Sequence, residues 1–463
     1  MVNPKERAVY KFFGVAWLLL VLMVFAPAGN AGAEGPVTLN MEAAVKMGLE
    51  RNQSLQAVRE QVKGREYGTK SARGAFGPSL STSYGYTRLD ERPSTRSPTR
   101  FDPNTGRIAE WETRHGSRDR WELNINIHQP LFTGFNLLST YEKSRLAHEQ
   151  SKSQLSRAEL ELVLEIQTNF LDLLAARENV RVAEDSLTRL NSHLDVSRSF
   201  YDVGLVPKLN VLEAQVDVSE AEQDLISARN RVETLESRLN MLLGLPRNME
   251  VQYEGRLEFV PFTLDLDESR DRAMQNRPDI FIADKSIQMA LKDERITASD
   301  MYPHVGASFD IFRRGDDPTV SGSAMQDRSE WRAGVQMQWT LFEWGRTYYA
   351  REQARQETRQ LVAEYEDLLQ NVSFEVKSDY LLIQESRQRI KVARQGVEEA
   401  RESYRMAQAR YEAQVGTSTQ VLDAQANLTA AEARLIAAES DFLKAVASIY
   451  RAMGEKNISL SAK

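Results

Sequence analysis

The sequence predicts a mainly α fold with a β-barrel portion, built from a tandem-duplicated chain. Three observations carry this: proline-free stretches long enough for very long helices, apolar heptads running through them, and a second half that repeats the first. Proline is absent between 131 and 206, between 208 and 245, and after 318. A proline costs a helix interior about 3 kcal/mol, so these gaps are where helices can run. They are rich in Ala, Glu, Arg, Leu and Gln, all good helix formers.

Composition narrows the function classes. The chain has 463 residues, 27% of them charged, and a mean hydropathy of −0.48. That is too polar for a bundle of spanning helices, each of which needs about 20 consecutive apolar residues. A net charge of −7 argues against a nucleic-acid partner. There is no cysteine, which excludes a disulfide scaffold, a thiolate metal site, a cysteine nucleophile and an N-terminal lipid on cysteine. The histidines, at 115, 128, 148, 193 and 304, are scattered and form no HExxH or HxH motif. No metal site, cofactor site, phosphate loop or catalytic residue is predicted, and the chain is read as no enzyme.

The elements follow in order. Lys5, Arg7 and Lys11 precede the apolar run Phe12–Phe25, and small residues follow up to Ala31-Gly32-Ala33. Fourteen apolar residues are short for a membrane span. Residues 1–33 are therefore expected to be a secretory signal peptide cleaved after Ala33, leaving a net charge of −9. The first repeat is expected over 34–244: a helix, strands 79–89 and 120–132 around a polar loop, a long helix 138–203 and a helix 208–243. A linker follows at 245–265. The second repeat, 266–454, has strands 304–313 and 330–342 and helices 346–412 and 417–453, before a tail at 455–463.

The heptads justify the helices. Ile166, Leu173, Val180, Leu187, Leu194 and Tyr201 recur every seven residues, as do Val211, Val218, Leu225, Val232 and Leu239. The second half repeats this with Val376, Ile383, Ile390, Val397, Tyr404 and Tyr411, then Val421, Leu428, Leu435, Phe442 and Ile449. A sustained seven-residue period imposes left-handed supercoiling on packed helices. Ala424, Ala431, Ala438, Ala445 and Ala452 form a second seam, which lets neighbouring helices approach closely.

The two halves match at an offset of 210 between residues 121 and 244, and at 225 upstream, so the first half carries 15 extra residues in its loop. Trp121 answers Trp331, Leu131-Phe132 answers Leu341-Phe342, and Gly244 answers Gly454.

The strands alternate. Leu80, Thr82, Tyr84 and Tyr86 share one face, and Trp121, Leu123, Ile125 and Ile127 oppose Glu122, Asn124, Asn126 and His128. Val305, Ala307, Phe309 and Ile311 oppose Asp310 and its neighbours, and Trp331 to Leu341 alternate against Arg332 to Thr340. A half-buried sheet and a membrane barrel both produce this period. Secretion and the polar loops favour the barrel, with Trp121, Trp331, Trp339 and Trp344 as its aromatic girdle and Glu122, His128, Asp310 and Arg332 lining its lumen. Four strands cannot close a barrel, so several chains must contribute. Two chains give eight strands and three give twelve.

At this point the chain resembles the TolC-like outer-membrane efflux proteins. The resemblance covers residues 36–455. It rests on Leu39…Ala44 leading to Leu49-Glu50-Arg51-Asn52, Ala273-Met274-Gln275-Asn276-Arg277-Pro278-Asp279-Ile280, Pro130-Leu131-Phe132-Thr133-Gly134 and Leu341-Phe342-Glu343-Trp344-Gly345-Arg346. Tyr201…Gly204…Val211-Leu212-Glu213-Ala214-Gln215 and Tyr411…Gly416…Val421-Leu422-Asp423-Ala424-Gln425 complete it.

The resemblance implies a homotrimer. Its 12-stranded barrel would sit in outer-membrane lipid and continue into a long periplasmic α-helical barrel, with 245–265 in a belt around the tunnel. It also implies a periplasmic adaptor and an inner-membrane pump of RND or ABC type as partners. Val203-Gly204-Leu205 then resembles the periplasmic tip that meets the adaptor, and Val415-Gly416-Thr417 a weaker second copy. Asp423 matches a position that narrows the pore in some relatives, and Gln420 stands where a second acidic residue can occur. With Glu213 these are the candidate constriction. Facing the lumen, three copies of Asp423 make a negative ring; facing a neighbouring helix, Asp423 is a paired or solvated charge. The expected function is a passive exit duct for small molecules (drugs, solvents or metal ions) or polypeptides. The alternative is a periplasmic or surface coiled-coil structural or adaptor protein without a channel.

Overall fold

The computed structural model describes residues 37–114, 117–322 and 329–460, so the signal peptide expected at 1–33 lies outside the described residues. The first repeat contains β1 (Val37–Leu39), α1 (Met41–Arg51), α2 (Gln53–Gly74), β2 (Ser79–Arg88), β3 (Ser94–Asp102), β4 (Arg107–Arg114), β5 (Asp119–Thr133), α3 (Asn136–Asp202) and α4 (Lys208–Leu242). The short β6 (Val251–Tyr253) follows. The second repeat contains α5 (Leu266–Asn276), α6 (Pro278–Ala298), β7 (His304–Gly315), β8 (Ser329–Gln338), α7 (Arg346–Glu412) and α8 (Ser418–Ala452).

Both long helices have 67 residues, about 100 Å at 1.5 Å per residue. Their packing is paired. Towards the strands, α2 lies on α3, and α6 lies between α3 and α7; towards the tips, α4 lies on α3, α8 on α7, and α8 also on α3. The shorter helices thus stack end to end along the long ones, and four helices are present at either level.

The joints show how the duplication is built. Asn52 caps α2 by accepting from Leu55 N at 3.0 Å, and its amide donates to Leu242 O at the end of α4 at 2.9 Å. In the second repeat Arg277 stands in its place and donates to Ala452 O at the end of α8. The sequence predicts one helix before the first strand of each repeat. The structure has two, because Asn52 and Arg277 adopt extended backbone and break the helix there.

Arg277 anchors a charged cluster that the first repeat lacks. It forks onto Asp279 at 3.0 and 2.6 Å, and also bonds Glu375, which in turn takes Arg451 Nη2 at 2.6 Å. Burial pushes the Asp279 and Glu375 carboxyls up, but the hydrogen bonds and charge of Arg277 outweigh it and hold both below their ordinary values. Asp379, one turn beyond Glu375, has a buried carboxylate oxygen with no hydrogen-bond partner among the described residues.

The heptads point inward largely as spaced. Ile166, Leu173, Val376, Ile383, Val397, Val421, Leu428, Phe442 and Ile449 are buried, and so is every alanine of the second seam. Val180 and Leu187 are only half-buried; there the α3 seam shifts to Val182, Ser186 and Leu190. Midway along the helices, β1 pairs in parallel with β6, and Tyr253 is buried against Phe170 with its hydroxyl on Asn240 at 2.6 Å.

The four long strands form one antiparallel sheet in the order β2-β5-β7-β8, so β2 and β8 are edges. Two expectations need correction here. Residues 90–119, read as a polar loop, contain the hairpin β3–β4, which pairs only with itself and accounts for the extra length of the first half. The last strand, expected to reach 342, ends at Gln338, so Trp339 of the expected girdle lies beyond it, as Trp344 does. Past Gln338 this edge has no partner strand among the described residues, whereas β5 keeps β7 beside it to Thr133.

Candidate functional site

The sheet has two chemically distinct faces. On one, cross-strand neighbours run Leu80–Ile127–Phe309–Ala333 and Thr82–Ile125–Ile311–Trp331. Trp331 is 69% exposed, Val335 70% and Leu80 72%, so this face is apolar and uncovered. Trp121 packs under Tyr84 and Tyr86, with ring centroids at 5.5 and 4.6 Å. Beyond the strand, Trp339 Nε1 donates to Met301 O at 3.1 Å and Trp344 is 90% exposed.

The other face carries all four expected lumen residues. Ser81, Asn126, Asp310 and Arg332 stand side by side across the four strands. The sequence suggested no partners for these charges; the structure supplies them. Asn126 donates to Asp310 at 2.6 Å, and Arg314 bridges Glu122 at 3.1 Å and Glu330 at 3.2 Å. Arg332 joins Glu330 at 2.8 Å, and both guanidiniums lie over the Phe312 ring, at 5.2 and 5.0 Å. Phe312 was missed because strand pairing places it on the polar face, one step beyond the alternation read in the sequence, and Arg314 because it lies past the expected strand end at 313. His128 lies over Gly306, where a Cβ would sit 2.7 Å from its ring.

At the far end are the two tips. After α3, Gly204 takes φ +77°, and Leu205 N returns to Phe200 O at 2.8 Å. This left-handed cap favours glycine, which has no Cβ to clash. Val203, Leu205 and Leu209 are exposed around it, an apolar end that no other described residue covers. After α7 the same turn recurs, with Val415 N on Arg410 O at 2.9 Å, but its left-handed residue is Gln414, at φ +62°. The pairing of Gly204 with Gly416 is therefore corrected: at the offset of 210, Gly204 corresponds to Gln414 and Gly416 to Val206. Thr417 then opens α8 through a capping box with Gln420, at 3.3 and 3.4 Å. The Gln420 side chain, expected at the constriction, is engaged in that cap.

Beside the tips, α4 and α8 bring carboxylates together. Asp217 is raised above its ordinary value, chiefly by burial and then by Glu220, Glu213 and Asp423. Glu213 and Asp423, both singled out from sequence, thus belong to one acidic group. Asp217 was missed, although its spacing from Glu213 and Glu220 puts all three on one side of α4. Asp423 itself is exposed in the chain.

The model of the outer membrane efflux protein family matches residues 44–245 and 270–455, most of the chain and one segment in each repeat. The chain belongs to this family. Its sequence is 21% identical over 382 residues to the outer membrane efflux protein BepC of Brucella suis, spanning 82% of this chain and 78% of that protein. Among solved structures it is similar to the CmeC outer membrane channel of Campylobacter jejuni, with a TM-score of 0.75 and 14% identity over 93% of this chain and 92% of that one. The outer-membrane channel OprN gives 0.74 and 18% over 89% of each chain. VceC of Vibrio cholerae gives 0.72 and 17% over 90% and 96%. The protein is thus an outer-membrane efflux channel whose helical part lies in the periplasm, and its relatives are channels rather than enzymes. Among the described residues no helix is long and apolar enough to cross a membrane.

Proposed function

We propose that the chain is the exit duct of a tripartite export system. Three copies pair β8 of one with β2 of the next and close a twelve-stranded barrel, apolar face outward. Four helices per level from each chain then make a twelve-helix tunnel. The observation that carries this is the four-stranded sheet, with two unpaired edges and an uncovered apolar face. In lipid, open edges leave backbone groups unsatisfied, and only closure removes them.

Passage needs no chemistry from the chain. Energy comes from an inner-membrane pump of RND or ABC type, and the exposed apolar tip at Val203, Gly204 and Leu205 meets a periplasmic adaptor. Val415, Gly416 and Thr417 form the second contact. The Glu213, Asp217 and Asp423 group narrows the periplasmic end, and the charged ladder of Glu122, Asp310 and Arg332 lines the outward end beside His128. Cargo is small molecules (drugs, solvents or metal ions) or polypeptides, and its class follows the pump.

The test is the mass of the purified protein in detergent together with its conductance in planar bilayers. A trimer that conducts is expected; a non-conducting monomer refutes the proposal. A deletion strain tested against drugs, detergents, dyes and metal salts then reads the cargo class from its hypersensitivity.

A further inference from the structure

The apolar face of the four-stranded sheet carries charge at one end only. The charged residues on that face are Arg88, Asp119 and Arg313, all at the end away from the helices. Arg88 and Arg313 are repeat counterparts, at the offset of 225 that relates the first strand of each half. Arg88 stands opposite Asp119 and Arg313 opposite Leu123, with Trp121 midway between those two positions on β5. In a closed barrel the strands tilt and are staggered, so the two arginines come to one level with Trp121 between them.

Their partners have diverged. Arg88 Nη1 lies 3.5 Å from Asp119, in an ion pair open to solvent. The counterpart of Asp119 at the offset of 210 is Ser329, and Ser329 is what the register sets beside Arg313. Arg313 is exposed, and its guanidinium has no ion pair or side-chain hydrogen bond among the described residues. Its neighbours Arg314 and Arg332 face the other side, where Glu122 and Glu330 hold them. The aromatic rings on the apolar face turn their polar ends the same way: the Tyr86 hydroxyl donates to Asp119 at 2.7 Å and the Tyr84 hydroxyl to Pro318 O. Rings with one wet end mark the interfacial level of a bilayer. An arginine on a lipid-facing strand is costly at the midplane and cheap at that level, where headgroup anions can meet it. The guanidinium fork matches two phosphate oxygens at once.

We propose that Arg313, supported by Arg88, binds the phosphate of a lipid headgroup in the outer leaflet. Three copies then present six arginines to the lipid around the outer rim of the barrel. The inference rests on the reading of the chain as a duct with its apolar face outward, and it adds a lipid class to that reading. Arg313 is the stronger contact, because Asp119 already shares Arg88 and nothing shares Arg313 among the described residues.

The test titrates the full-length oligomer in detergent with diphosphoryl lipid A, with the same lipid after removal of its phosphates, and with inorganic phosphate, and reads bound lipid by native mass spectrometry. The phosphorylated lipid is expected to bind at least about fivefold more tightly than the dephosphorylated one, the weight of one basic residue at a membrane surface. Arg313→Gln is expected to lose most of that preference and Arg88→Gln less of it. Arg107→Gln, at the exposed start of β4, is expected to keep it whole. Equal binding of the two lipids by the wild type overturns the inference and leaves the duct standing, whatever the yield of the variants. So does an undiminished preference in Arg313→Gln. Inorganic phosphate that displaces the lipid at matched phosphate concentration overturns it as well, because the arginines then hold a free anion. A monomer that takes up neither lipid overturns the barrel reading and this inference with it.

Discussion

Asp379→Asn is expected to stabilise the protein, and to do so only above mild acid. Burial, reinforced by Glu375 and opposed by Arg451 and Arg277, pushes the Asp379 carboxyl from an ordinary 3.8 up to about 6. A rise of that size corresponds to about 3 kcal/mol against the ionised form. The side chain is only half-buried, so screening reduces the expected gain to about 1–2 kcal/mol. The first repeat supplies the precedent. Its residue 210 positions earlier is Asn169, whose amide donates to Glu165 O at 2.7 Å. The introduced amide has the equivalent Glu375 carbonyl to meet. A carboxyl raised in the folded state destabilises progressively as pH climbs from its unfolded value to its folded one. Wild type should therefore lose stability between about pH 4 and about pH 6, and the variant should not. Urea unfolding midpoints of the two proteins, measured across that range, give the difference directly. A variant less stable at pH 8, or an advantage as large at pH 4 as at pH 8, would refute the reasoning.

Three further outcomes are expected. Gln414→Gly should stabilise the second tip by about 1 kcal/mol, by relieving a side chain held at positive φ, read as slower amide exchange in residues 410–416. Asp423→Asn should weaken cation block of the pore and bring the raised Asp217 carboxyl back towards its ordinary value; unchanged block would place Asp423 away from the lumen. Trp331→Arg should cost about 2–4 kcal/mol if the apolar face meets lipid near the midplane, seen as loss of outer-membrane protein, whereas Gln336→Arg on the opposite face should be tolerated.

Duplication, helix length and strand alternation were legible in the sequence because each is a periodic property of neighbouring residues. A heptad, a two-residue alternation or a fixed offset needs no knowledge of what packs where. The shared face of Glu122, Asp310 and Arg332 was legible for the same reason, since alternation placed them; Asp423 came from the family resemblance alone. The partners of these charges were not legible. Arg314 lies 192 residues from Glu122, and only the register of β5 against β7 brings them together.

What only the tertiary structure decided lies where the repeats have diverged. The same turn is closed by Gly204 in one half and Gln414 in the other, because hydrogen bonding to the preceding helix, rather than residue identity, sets the left-handed position. The same joint is made by the neutral Asn52 and by Arg277 with its carboxylates. Tyr201 before one tip is exposed, while its copy Tyr411 is buried under α3 beside His193. Local pattern determines which elements form. Contacts between residues hundreds of positions apart determine which charges are paired, which are buried and which tip is held.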